Sequence, residues 1–166
     1  MRKNIARIWF ALVAACLLTV SAMADDAAEQ SATESVELQD YKSPTCGCCG
    51  RWIEHIEGRG FTTRVEHPAD LNGMKADWGI RPQYRSCHTA VTEDGLIFEG
   101  HIPASIMQRF LDERPAGAFG LAVPAMPVGS PGMESGDRFA PYQVLLLKAS
   151  GEAEVYAEVR TREEQY

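Results

Sequence analysis

The chain has 166 residues, 45% apolar and 23% charged, with 16 Lys+Arg against 23 Asp+Glu and a formal charge of −7. This composition excludes a disordered, collagenous or polytopic membrane protein, and the acidic balance excludes nucleic-acid binding, which needs a basic face. The length suits one core-forming domain, and five cysteines leave an odd thiol to explain.

The N-terminus explains it. Arg2, Lys3 and Arg7 precede an apolar stretch over residues 8–20, and Ala22-Met23-Ala24 supplies a small-residue cleavage site, so residues 1–24 read as a secretory signal. The stretch is short of the ~20 residues a membrane span needs. No stable span is expected after cleavage, and the expected destination lies outside the cytoplasm. Val13-Ala14-Ala15-Cys16 also fits a lipoprotein box, with Cys16 carrying the anchor. That alternative leaves the greasy Leu17-Leu18-Thr19-Val20 directly after the lipid and wastes the cleavage site. Cleavage after Ala24 removes Cys16 and three basic residues, leaving a more acidic chain with four cysteines. Residues 25–35 are small, polar and acidic, and read as a disordered leader.

Residues 36–41 alternate apolar and polar side chains as a strand does. Residues 42–50 read as a loop carrying Cys46, Cys48 and Cys49. A helix over 51–57 follows, with Trp52, Ile53 and Ile56 at helical spacing and Gly58 and Gly60 stopping it. A second strand spans 61–66, and a short helix spans 71–78 before Gly79. Segments 89–92 and 96–99 flank Glu93-Asp94-Gly95, a hairpin signal. Residues 104–113 repeat Ile106, Met107, Phe110 and Leu111 as an amphipathic helix. The order β-α-β-α-β-β-α points to a thioredoxin-like α/β fold. Residues 114–140 hold Pro115, Pro124, Pro127, Pro131 and five glycines, and are expected to hold no regular structure. Segments 142–147 and 154–159 around Ser150-Gly151 read as a C-terminal β-hairpin extension. The expectation is one domain over 36–160.

The chemistry concentrates in sulfur. Cys46 and Cys49 form a C-x-x-C, and Cys48 sets a third thiol inside it, at a helix start where free N–H groups and the dipole favour thiolates. A Cys48–Cys49 disulfide would need an awkward ring, whereas three thiols in four residues converge readily on a metal. Cys87 stands just before the third strand, a position that faces the C-x-x-C loop in a thioredoxin-like fold and normally holds a cis-proline shielding the thiols. Cys87 or His88 takes that place here. The hairpin should return His101 to the same end. These residues make a soft site suited to Cu(I), Zn(II) or iron–sulfur. Met126 and Met133 bracket a Pro/Gly-rich loop and offer thioethers, which suit Cu(I) far better than zinc. Trp52 reads as a core anchor, Met74 and Met107 as helix core, and His55 and His67 as solvated surface.

Four motifs in order carry a family resemblance: Thr45-Cys46-Gly47-Cys48-Cys49, Ser86-Cys87-His88-Thr89-Ala90-Val91, Glu99-Gly100-His101-Ile102-Pro103, and Gly120-Leu121-Ala122-Val123-Pro124 with Gly129-Ser130-Pro131-Gly132-Met133. Together they resemble the CopG-type periplasmic copper-resistance proteins, a family distinct from the plasmid repressor of the same name. The match runs over about residues 36–159. The resemblance implies a thioredoxin-like domain binding several copper ions through shared thiolates of Cys46, Cys48, Cys49 and Cys87. His88 and His101 take auxiliary positions, and copper redox handling is a further implication. Expected partners are copper ions and periplasmic copper chaperones, oxidases or efflux components. Two other readings compete: a thiol–disulfide oxidoreductase working through Cys46 and Cys49, and a zinc-stabilised interaction module.

Overall fold

The computed structural model describes residues 35–166; the signal, the Cys16 alternative and nearly all of the acidic leader lie outside the described residues. The chain forms strand β1 (Val36–Lys42), helix α1 (Gly47–Glu57), β2 (Phe61–Glu66), α2 (Leu71–Asp77), β3 (His88–Thr92), β4 (Ile97–Glu99) and α3 (Ala104–Glu113). Strands β5 (Ala118–Ala122), β6 (Tyr142–Lys148) and β7 (Ala153–Val159) follow. All seven strands lie in one sheet, ordered β2-β1-β3-β4-β5-β6-β7. The first four build the thioredoxin-like unit: β1 pairs parallel with β2 across α1, while β3 runs antiparallel to both β1 and β4.

Register decides which side chains share a face, because directly opposed residues point the same way. Leu38 opposes Thr92, Asp40 opposes Ala90, Lys42 opposes His88, and Ala90 opposes Phe98. Leu38, Ala90 and Phe98 pack in one core with Trp52 and Ile56 of α1 and Met107 and Phe110 of α3. Tyr41, Thr89 and Glu99 form a row on the opposite face. There Tyr41 meets Trp78 and Glu99 meets Lys75, so α2 covers that side. The result is a sheet between helices. Burying each large apolar side chain contributes about 1.5–3 kcal/mol, and Trp52, fully buried, also donates its indole N–H to the Ile102 carbonyl at 2.8 Å.

Two expectations are corrected. Helix α1 starts at Gly47 rather than Arg51, with Cys46 as its N-cap residue. The Gly-Cys-Cys-Gly run has weak helix propensity and no apolar period; burial of Cys49 and Trp52 on one side of the helix overrides it. The Pro/Gly-rich stretch is not free of regular structure, since it contains β5, paired parallel with β4 and antiparallel with β6. The sequence places Gly120 within that stretch of expected irregular structure. It is instead a close-approach residue, because a Cβ there would stand 2.1 Å from the Ile97 carbonyl oxygen. The C-terminal hairpin is therefore continuous with the thioredoxin-like sheet.

His55 is also corrected. It lies 8% exposed on α1, and its Nε2 accepts the Ala104 N–H at 3.2 Å. Pro103 gives α3 no side-chain cap, so an imidazole from a neighbouring helix satisfies one of its orphan amides. His67 is exposed, Met107 fully buried and Met74 half-buried. Among the described residues, no helix is long and apolar enough to cross a membrane.

Candidate metal centre

The Cys46 N-cap and the first turn of α1 place three sulfurs at the helix N-terminus. Cys49 is fully buried, and Cys46 and Cys48 are half-buried. Cys46 and Cys49 are joined as a disulfide, and Cys48 Sγ lies 3.5 Å from Cys46 Sγ. From the loop before β3, Cys87 brings its Sγ to 3.4 Å from Cys49 Sγ. The sulfurs of Cys46, Cys48, Cys49 and Cys87 all lie within 4.8 Å of one another. Cys87 also belongs to a second set, in which its sulfur and one ring nitrogen each of His88 and His101 lie within 4.8 Å of one another.

The two imidazoles differ. His101 donates Nδ1–H to the Pro131 carbonyl at 2.7 Å, since a carbonyl only accepts, and this leaves the Nε2 lone pair facing Cys87 Sγ at 3.0 Å. Metal-binding histidines are commonly oriented by such an outer hydrogen bond. His88 is fully buried with Nδ1 3.4 Å from Cys87 Sγ, and its Nε2 has no hydrogen-bond partner. Its ring packs on Trp52 with centroids 4.3 Å apart and meets the His101 ring edge-on at 5.1 Å. An orphaned buried ring nitrogen is costly; the ring nitrogen that meets Cys87 is the other one, Nδ1.

Burial holds both rings neutral. His88 is driven well below the ordinary imidazole range by desolvation, with His101, Lys75 and Lys42 adding to it. His101 is lowered by desolvation as well, against the opposing pull of the Pro131 hydrogen bond. Burial, followed by the neighbouring Cys48, pushes the Cys87 thiol up to about 12. Without a cation Cys87 is therefore a thiol, and a soft cation would take its place by displacing the proton. Four sulfurs and two neutral imidazoles fit Cu(I) or Zn(II) and suit hard cations poorly. Loading all four sulfurs first requires the Cys46–Cys49 disulfide to take up two electrons.

The Pro/Gly-rich loop covers the helix start. Gly132, at φ +82°, sits so close that a Cβ would stand 2.6 Å from the Cys48 carbonyl oxygen and 2.6 Å from the Trp52 nitrogen. Arg51 Nε donates to the Gly132 carbonyl at 3.0 Å. Met133 is half-buried beside it, and Met126 is 49% exposed.

Sequence reading missed the polar support beneath Cys87. Lys75 and Glu99 form an ion pair at 2.5 Å, with side chains 1% and 0% exposed. Lys75 Nζ also donates to the Ser86 carbonyl at 2.8 Å, while Glu99 Oε1 accepts the Ser86 N–H at 2.5 Å and Glu99 Oε2 the Thr89 hydroxyl at 2.6 Å. Both backbone groups of Ser86, the residue before Cys87, are thus held by charge. Asp40 is buried with neither carboxylate oxygen hydrogen-bonded. Desolvation raises its pKa to about 7 against the lowering effects of Lys42 and Lys75. Its position two residues after Leu38, on the inward phase of β1, was the available signal.

A family model described as a protein of unknown function, DUF411, matches residues 84–133, which include Cys87, His88, His101 and the methionine loop. No curated protein gives a significant match. Two solved structures, described as copper resistance protein CopG in form 1 and form 2, superpose with TM-scores of 0.71 and 0.72. They share 41% and 42% identity with this chain, covering 77% and 76% of it and 100% of each solved chain. At that identity and coverage the chain belongs to the CopG family of copper resistance proteins.

Proposed function

We propose that this protein binds copper in the periplasm as part of copper resistance, holding Cu(I) on the reduced sulfurs of Cys46, Cys48, Cys49 and Cys87. The observation that carries this reading is the convergence of four sulfurs and two neutral imidazoles around one shared residue, Cys87. Thiolates select Cu(I), and His88 and His101 supply borderline nitrogen donors that also accept Cu(II). Membership of both ligand sets gives Cys87 the role of a bridging thiolate, and a bridged site accommodates more than one ion. Met133, adjacent to the Gly132 contact with Cys48, is an additional Cu(I) donor in this reading, with Met126 further along the same loop. Copper chaperones, oxidases or efflux components would then be the partners that deliver or remove the ion.

The Cys46–Cys49 disulfide favours a redox component. Two Cu(II) ions oxidising the Cys46–Cys49 dithiol yield two Cu(I), one disulfide and two protons, so the same pair can change copper's oxidation state. It also supports a second reading, thiol–disulfide exchange: Cys49 is one half of a disulfide with a third sulfur, Cys87, 3.4 Å away.

One titration separates the readings. The reduced, anaerobic protein is titrated with Cu(I) and with Zn(II), and bound metal is counted per chain. More than one tightly held Cu(I), lost in Cys46→Ser and Cys87→Ser, supports copper binding. Rapid reduction of a model disulfide with no Cu(I) retained would replace it with the oxidoreductase. Tight Zn(II) with weak Cu(I) would replace it with the zinc module.

A further inference from the structure

The last six residues extend beyond the expected domain end at residue 160, yet they are tied to the metal centre. Gln165 is completely buried in a 3-10 turn over Glu163–Gln165, although its neighbours Glu164 and Tyr166 are exposed. Its amide is satisfied at both ends. Nε2 donates to the Gly129 carbonyl at 3.0 Å and to the Arg162 carbonyl at 3.3 Å, and Oε1 accepts the Tyr142 hydroxyl at 2.6 Å. Burying an amide is unfavourable unless its donors and acceptors are matched. The position is therefore selective for a side chain offering two N–H donors and one acceptor.

Gly129 opens a tight loop closed by its N–H to the Met133 carbonyl at 3.0 Å and by the Met133 N–H to the Ser130 carbonyl at 2.7 Å. Pro131 stands in the middle of that loop, and its carbonyl sets the His101 tautomer. A second tie runs in parallel. Tyr166 donates its hydroxyl to Glu134 Oε1 at 3.0 Å, and the same oxygen accepts the Gly132 N–H at 2.9 Å. The tail therefore grips the loop on both sides of Pro131.

We propose that Gln165 is a positioning residue for His101, acting through the Gly129–Met133 loop so that the Pro131 carbonyl holds the Nε2 lone pair on Cys87. The proposal rests on the copper-binding reading for its consequence, while its geometric core concerns the metal-free protein. Without the Gln165 amide the loop loses its anchor at Gly129, the Pro131 carbonyl drifts, and His101 samples both tautomers. Outer partners of metal-binding histidines typically change affinity 10–100-fold. Gln165 acts one layer further out, and the expected loss of Cu(I) affinity is about tenfold.

The test compares wild type with Gln165→Leu, which fills the space and makes none of the three hydrogen bonds, and Gln165→Glu, which as a carboxylate keeps the acceptor for Tyr142 and loses the donors to Gly129 and Arg162. Imidazole 15N shifts of His101 are read in the reduced metal-free protein, alongside urea stability and Cu(I) competition. Wild type should show the single Nδ1–H tautomer, and both variants a shift toward tautomer averaging with weaker Cu(I) retention. If Gln165→Leu does not fold, Gln165→Glu carries the comparison. Variants with lowered stability but an unchanged His101 tautomer would overturn the proposal and leave Gln165 a packing residue. Failure of wild type to bind Cu(I) would defeat the functional reading instead, with the tautomer result still deciding this one.

Discussion

Replacing Glu99 by Gln separates charge from shape at the buried pair beneath Cys87. The Gln carbonyl keeps an acceptor for Lys75 and Ser86, and its amide faces the Thr89 hydroxyl, so few hydrogen bonds are lost. What disappears is the negative charge opposite an ammonium that is 1% exposed. Removing one partner of a buried pair costs about 3–5 kcal/mol, because the other charge is stranded. Lys75→Met strands Glu99 in the same way and should cost a similar amount. The double variant, Lys75→Met with Glu99→Gln, strands nothing. Its main loss is the Lys75 hydrogen bond to the Ser86 carbonyl, about 1–2 kcal/mol. Urea unfolding of the reduced, metal-free protein measures all three. With a slope of about 1.5 kcal/mol/M, each single variant should lower the midpoint by about 2–3 M, and the double by about 1 M. Additive losses, or single-variant losses below about 1 kcal/mol, would refute the claim that charge pairing in a dry site holds this loop.

Two further predictions concern pH. Asp40 has a folded pKa of about 7, above its unfolded value, so the folded state holds an extra proton between about pH 4 and 7 and stability falls as pH rises across that window. Asp40→Asn should therefore match wild type near pH 4 and exceed it by about 2–4 kcal/mol at pH 8; parallel stability–pH curves would contradict this. His55 runs the other way: burial, then Arg59, lowers it to about 4, so stability is lost as pH falls from about 6.5 toward 4. His55→Gln retains an acceptor for the Ala104 N–H and should flatten that acid limb in urea unfolding, and an unchanged limb would exclude His55 as its source.

What could be read in advance follows from range of interaction. Elements with a local period, such as the 104–113 helix and the hairpin around Glu93-Asp94-Gly95, carry their own signal and form where expected. The cysteine cluster was legible because fold topology alone brings Cys87 and His101 to the C-x-x-C end. Strand β5 was not, because its alanine- and glycine-containing run is set by close approach to Ile97, a partner more than twenty residues away. Lys75 and Glu99 hid for a similar reason: each reads as an ordinary surface charge until the fold places them together. His55 was misread because its partner is the start of another helix.

The insertion of β5 has a consequence for dissection of the protein. Strand β4 is only three residues long, with Ile97, Phe98 and Glu99 all at most 3% exposed, and β5 is its second neighbour. A fragment ending after α3 would look like a complete minimal thioredoxin-like unit, yet it would present β4 as a bare edge with apolar side chains and unpaired backbone groups. Such edges recruit further strands from solution. That fragment should self-associate, and loss of metal binding in it would report on aggregation rather than on missing ligands.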